Sequence, residues 1–183
     1  MSIDLARVTA HIEISDALAR YCQGVDRRDW DLVLSAYHAD AHDSHGMFAG
    51  TPAELVEWMK GNHEHVSSCM HVMTNVRIEV APDDPSLARA ESYILSHKII
   101  SSVEHDPFLR DSGAQGAIHR TIACRFVDTL ENRPGVGWRI KTRTVVYEWA
   151  RVDPDDAFVP MDPNLLYSRR DKDDVLYAPL VRR

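Results

Sequence analysis

The chain has 183 residues, which suits a single domain, because most single hydrophobic cores fall between roughly 100 and 200 residues. An apolar fraction of 44% and a charged fraction of 27% are typical of a globular domain rather than a disordered or fibrous chain. The net charge of −7 argues against a nucleic-acid partner, since phosphate binding needs a concentrated basic surface. Neither a membrane span nor a leader pattern is evident, so a cytoplasmic location is expected.

Apolar residues at helical spacing predict a first helix from Ser2 to Val25, with Gly24 as its terminator. The same spacing predicts a short second helix from about Asp29 to His38, and either Asp26 or Asp29 is expected to be its N-cap.

A strand-like stretch over 41–50 leads into a third helix that runs to about Glu64. Thr51 as N-cap, Pro52 in the first helical position and Glu54 completing a capping box predict where this helix begins.

From Ser68 onward the hydrophobic period becomes two, which is typical of β-strands. In the strand over 68–81 the even-numbered apolar residues are expected to face the core, and the odd-numbered residues form a chemically mixed face. A turn over 82–86, a loop over 113–116 and a turn over 132–135 separate three further strands, predicted over 87–103, 117–131 and 138–152. Helices followed by long antiparallel strands define an α+β fold. Residues 153–183, rich in proline and charge, are predicted to form an irregular extension that covers a pocket or a neighbouring subunit.

The order of several motifs resembles the SnoaL-like branch of the NTF2-like superfamily, over residues of about 5 to 152. These motifs lie at 21–26, 37–46, 71–75, 137–140 and 143–149. The resemblance implies a domain over 1–152: a curved antiparallel sheet that three N-terminal helices wrap into a cone around one deep, mostly apolar pocket.

Asp26 and His71 match the Asp and His shared by scytalone dehydratase, bile acid 7α-dehydratase and hexachlorocyclohexane dehydrochlorinase. These enzymes of the branch remove a proton and expel a leaving group without a cofactor. Tyr21, Cys69 and Arg125 resemble further site residues of this group. The resemblance therefore implies a catalytic set of Asp26, His71, Tyr21 and Arg125, with no metal and no cofactor.

Each of these residues also has an ordinary structural interpretation. Asp26 could simply cap a helix, and His71 could be a half-buried histidine with satisfied hydrogen bonds. Tyr21 could be a core aromatic, and Arg125 could form a surface ion pair. Additional substrate contacts are expected from Tyr37, Cys69, Met73, Tyr93 and His97. A one-residue shift in register would turn His97 away from the pocket.

The function predicted from these residues is a cofactor-independent lyase of the dehydratase type, acting on a hydrophobic cyclic metabolite such as a steroid, polyketide or aromatic compound. An isomerase, a cyclase, a carbon–carbon lyase and a non-catalytic binding protein remain alternatives. A homo-oligomer is expected, because the strands carry more apolar surface than three helices can cover. The resemblance to the dehydratases, which are trimers, implies a trimer rather than a dimer. A less favoured alternative is a metal site built from His38, His42, Asp43 and His45.

Overall fold

A computed structural model describes residues 4–101, 103, 106, 108–109 and 116–180; of the predicted 113–116 loop, residues 113–115 lie outside the described residues. The helices are α1 (Leu5–Arg27), α2 (Trp30–Ser35) and α3 (Pro52–Asn62). The strands are β1 (Tyr37–Ser44), β2 (Ala49–Gly50), β3 (Val66–Val80), β4 (Leu87–Ile100), β5 (Ile118–Arg133) and β6 (Gly137–Pro154). They form one curved six-stranded sheet in the order β2-β1-β6-β5-β4-β3, which confirms the predicted α+β cone.

The helix α1 does not end at Gly24 as predicted. It continues to Arg27, and Arg28 ends it in the left-handed conformation with φ 53°. Gly24 is required for packing instead, because a Cβ there would lie 2.7 Å from Cγ2 of Val33 in α2. The glycine therefore lets two helices approach closely, and the chain gains one more helical turn that carries Asp26 inward.

Asp29 is the N-cap of α2, where its carboxylate accepts a hydrogen bond from the backbone N–H of Leu32. The predicted extension of α2 to His38 is wrong, because Tyr37 already begins β1. Within the described residues, β1 runs parallel to β6, and the other four strand pairs are antiparallel. The capping box of Thr51 and Glu54 at the start of α3 is confirmed.

The predicted inner and outer faces of β3 are reversed in its first half. Met70 and Val72 are exposed, while Cys69 is buried and His71 lies on the inner face of the sheet. An irregularity at Asn75, which has φ 49°, then shifts the alternation so that Ile78 and Val80 become half-buried. In the first half of β3, Cys69 and His71 therefore face the interior, which indicates a polar site inside the cone.

The C-terminal segment packs back onto α1 and the start of β3. Arg170 is buried, and its guanidinium donates hydrogen bonds to the carbonyl oxygens of Val25, Asp26 and Val66. Positive charge at the C-terminal end of a helix is favourable because the unpaired carbonyls there carry partial negative charge. The C-terminal segment thus fixes the end of α1 that carries Asp26.

Among the residues that the structure describes, no helix combines the length and apolar character needed to cross a membrane.

Candidate active site

A cavity of about 70 Å³ lies between α1, α3 and the concave face of the sheet. Aromatic rings form much of its wall, from Tyr21, His45, Trp58, Phe108, Phe126 and Tyr147. Charged and polar groups gather in another part of the lining, from His63, His71, Lys98, Asp106 and Arg120. An apolar cavity with a few convergent polar groups is the usual form of a small-molecule site.

Asp26 and His71 meet at the edge of this cavity. Asp26 Oδ1 lies 2.6 Å from His71 Nδ1, and Asp26 Oδ2 accepts a second hydrogen bond of 2.9 Å from the His71 backbone N–H. The two contacts fix both the position and the ring orientation of His71. With Nδ1–H donating to the carboxylate, Nε2 of this cavity-lining residue is the ring nitrogen left to exchange a proton with a ligand.

Burial raises the pKa of the Asp26 carboxyl, but hydrogen bonds from His71 and its charge outweigh this, so the pKa lies below its ordinary value. Burial alone would lower the pKa of His71. The Coulombic effect of Cys69 and the hydrogen bond to Asp26 act in the other direction and raise that pKa to about 9. At neutral pH the resting pair is therefore an imidazolium facing a carboxylate.

The position of Asp26 excludes the helix-capping alternative. It lies in the last turn of α1 rather than at a helix start, and Asp29 caps α2. A carboxylate near a helix C-terminus is electrostatically unfavourable. Its two bonds to His71 are the contacts that offset this cost.

Asp26, Cys69 and His71 are also the one group of three potential metal ligands close together in the described part of the chain, with ligand atoms within 4.8 Å of one another. The 2.6 Å separation of Asp26 Oδ1 and His71 Nδ1 is that of a direct hydrogen bond. Two such ligands on one tetrahedral zinc would lie roughly 3.3 Å apart. The geometry thus favours a proton-sharing pair over a metal centre.

The metal site imagined from His38, His42, Asp43 and His45 is not assembled. His38 Nε2 bonds the carbonyl oxygen of Glu131, whereas His45 Nδ1 bonds Asp43.

Asp43 and His45 instead form a second Asp–His pair, which the sequence interpretation missed. His45 lines the cavity, and its Nε2 lies 3.1 Å from the hydroxyl of Tyr21. Asp43 also accepts a 2.6 Å hydrogen bond from Tyr37. Burial raises the pKa of Tyr21 well above its ordinary value, so its hydroxyl stays protonated and able to donate.

Arg143 packs against Tyr21, the hydrogen-bond partner of His45 in this second pair. It forms a fully buried, two-pronged ion pair with Asp128 at 2.7 and 2.8 Å. Its guanidinium lies 4.3 Å from the centre of the Tyr21 ring and 4.1 Å from that of Phe126. Cation–π contacts of this kind hold the tyrosine in place.

Three predicted site residues point away from the cavity, and their assignment is wrong. Arg125 pairs with Glu91 and Glu148 on the outer face of the sheet. Tyr93 is 46% exposed, and His97 bonds Thr121 on that outer face. The inner face of β4 and β5 is formed by even-numbered residues, so the prediction was shifted by one residue in both strands.

The other predicted site residues lie close to the dyad or behind it. The sulfur of Cys69 lies 3.9 Å from His71 Nδ1. Met73 lies with Asp26 and His71 along a shallow groove beside the cavity. Tyr37 is buried and supports Asp43 without being among the residues that line the cavity.

Lys98 and Arg120 line the cavity and were also missed. They directly oppose each other in the β4–β5 register, so the correct face assignment of either strand would have identified both.

A family model described as a SnoaL-like domain matches residues 6–144. The chain belongs to the SnoaL-like family. This confirms the resemblance found in the motifs and places the domain in the NTF2-like superfamily. The comparison with curated proteins gives no match.

Solved structures show the same fold at low identity. Hexachlorocyclohexane dehydrochlorinase of type 3 from Novosphingobium barchaimii has a TM-score of 0.70 and 19% identity, covering 87% of this chain and 100% of that chain. A type 2 form of that enzyme has the same TM-score and identity, covering 89% and 100%. A candidate scytalone dehydratase from Novosphingobium aromaticivorans has a TM-score of 0.65 and 14% identity, covering 80% and 89%.

Proposed function

We propose that the protein is a cofactor-independent lyase that removes a proton from carbon and expels a leaving group from a cyclic, largely hydrophobic substrate. The observation that carries this proposal is the Asp26–His71 pair, joined at 2.6 Å at the edge of the cavity. Structural neighbours named as a dehydrochlorinase and a scytalone dehydratase support the same class of reaction.

His71 Nε2 is the proposed general base. It takes a proton from a carbon next to an activating group, while Asp26 stabilises the imidazolium that forms. Since the pKa of His71 is about 9, only about one molecule in a hundred carries the basic form at pH 7. The proposed enzyme is therefore more active at alkaline pH.

Tyr21 is the proposed proton donor to the leaving group. Its hydroxyl remains protonated and lies 3.1 Å from His45 Nε2, and rotation about the C–O bond turns its single proton from that nitrogen to the leaving group. Two proton-handling groups in one cavity suit an elimination, because one site accepts a proton while the other donates one. This assignment replaces Arg125, which lies on the outer face of the sheet.

Product analysis tests the proposal. The protein, with EDTA and no added cofactor, is incubated with ring compounds that carry a β-hydroxy carbonyl or a chlorinated ring, and products are analysed by mass spectrometry. We expect loss of water or of hydrogen chloride from at least one compound, and no turnover by His71→Ala. His97→Ala is the matched control, since it removes an imidazole from the outer face of the neighbouring strand.

The alternatives give different products. A product of unchanged mass indicates an isomerase or cyclase, and two carbon fragments indicate a carbon–carbon lyase. Tight binding of ring compounds with no turnover over a broad panel, at pH 7 and pH 9, would favour the binding-protein interpretation.

A further inference from the structure

The polar part of the cavity holds two cations that the proposed proton transfers do not use. Lys98 of β4 directly opposes Arg120 of β5, and both line the cavity. Like charges directly opposite each other in a sheet are destabilising unless a counter-charge lies nearby. Asp106, which pairs with Arg120, is the one carboxylate among the described residues that line this cavity.

Neither cation has all its protons accepted by the described residues. Arg120 is 2% exposed, and its Nε has no hydrogen-bond partner. Such an unpaired buried donor is costly, which makes an acceptor from a ligand favourable.

Among the described residues, the side chain of Lys98 has one hydrogen-bond partner, the neutral imidazole of His63. Its Nζ lies 2.8 Å from His63 Nε2, while Arg170 lies 2.9 Å from His63 Nδ1. Burial, together with the charges of Lys98 and Arg170, holds the pKa of His63 well below its ordinary value. A neutral imidazole has only one nitrogen with a free lone pair, so it cannot accept from both cations at once. Burial lowers the pKa of Lys98 to about 8, which leaves it mostly charged at pH 7.

The two cations lie next to the proposed base. Cys69, Lys98 and Arg120 form one row across β3, β4 and β5, and His71 and Ser96 belong to the next row on the same face. Two residues along a strand span about 7 Å. An anionic group held in the first row would therefore lie within a few bonds of the carbon presented to His71.

We propose that Lys98 and Arg120 form an anion-binding subsite that holds a carboxylate of the substrate. The substrate class is then an aromatic or alicyclic carboxylic acid, with its ring against the aromatic wall and its carboxylate between the two cations. This inference rests on the proposed function for the identity of the reacting carbon, but the binding of the anion does not depend on turnover.

Two probes of equal shape and different charge test the subsite. Binding of 1-naphthoate and 1-naphthamide is measured by calorimetry at pH 7 for the wild type, Lys98→Met, His71→Ala and Lys60→Met. The wild type should bind the carboxylate at least about tenfold more tightly than the amide, because charge-assisted hydrogen bonds are stronger than neutral ones. Lys98→Met should lose most of this preference, whereas Lys60→Met, which removes an exposed lysine of α3, should keep it.

The wild-type comparison decides the question even if Lys98→Met fails to fold. Equal affinity of the wild type for the two probes would overturn the subsite, and so would a carboxylate preference that survives in a folded Lys98→Met. His71→Ala separates this inference from the proposed function: it should keep the carboxylate preference while losing turnover. If the wild type shows no carboxylate preference but His71→Ala still abolishes turnover, the dyad is retained and only the subsite is rejected.

Discussion

Replacing Asp26 by Asn should lower the pKa of His71 and weaken the preference for its neutral ring to carry the proton on Nδ1. Asp26 accepts two hydrogen bonds from His71, at 2.6 and 2.9 Å, through its two oxygens. An amide has one oxygen, so only one of those N–H groups keeps an acceptor. If the amide nitrogen faces Nδ1, the ring proton must move to Nε2, and His71 can no longer accept a proton from the cavity.

Both Cys69 and Asp26 contribute to the raised pKa of His71. The pKa of His71 is raised from 6.5 to about 9, a difference worth on the order of 3 kcal/mol. Cys69→Ala is the matched variant that separates the Cys69 contribution from that of Asp26. We expect Asp26→Asn to lower the pKa of His71 from about 9 towards 6.5.

Two measurements check this without a substrate. Nuclear magnetic resonance titration of ¹⁵N-labelled histidine gives the pKa directly. Urea unfolding gives the linked stability: a raised pKa stabilises the fold fully below pH 6.5, and this contribution is lost as pH rises through about 9. The wild type should therefore lose stability between pH 6.5 and 9, and Asp26→Asn should lose much less. A His71 pKa that is the same in both proteins would refute the reasoning.

Three further predictions concern activity and assembly. The kcat/KM of the wild type should rise tenfold per pH unit from pH 6 to about 8, because the base is the neutral form of His71; a flat profile over this range would contradict that role. Tyr21→Phe should lower kcat by about 10² while leaving thermal stability nearly unchanged, since it removes one donor to the leaving group; unchanged turnover would remove Tyr21 from the mechanism. The proposed contact of a homo-oligomer is an apolar row on the outer face of the sheet, formed by Val72, Leu95, Ala123 and Trp149. Leu95→Glu should convert a species of two or three times 20.8 kDa into a monomer. Light scattering that shows a wild-type monomer at micromolar concentration would refute this.

Much of the fold follows from local sequence patterns. Helical spacing predicted α1 and α2, and the capping box at Thr51 located the start of α3 to the residue. Helix ends were less predictable, because Gly24 is required by contact with α2 rather than by a turn. The parallel pairing of β1 with β6 could not be predicted, since it joins segments about a hundred residues apart and leaves no local pattern.

The site residues were predicted correctly only where they belong to a recognisable sequence motif. Asp26 and His71 were identified together although 45 positions separate them, and the structure brings them into contact. Tyr93, His97 and Arg125 were assigned to the wrong face because alternation shows that two faces differ but does not show which one is inside. In β3 the usual rule is inverted: apolar Met70 and Val72 face outward, while Cys69 and His71 face the cavity side. Binding sites reverse the pattern in this way because polar groups are needed inside.

The most direct test of the central claim is a double-mutant cycle on kcat with the substrate identified by product analysis. His71→Ala should lower kcat by about 10² to 10⁴, which corresponds to roughly 3 to 5 kcal/mol of barrier, with little change in ligand affinity. Asp26→Asn should also lower kcat, and the double mutant should be scarcely worse than His71→Ala, because the two residues act as one unit. Full additivity of the two effects, or single mutants that retain most of their activity, would contradict the account.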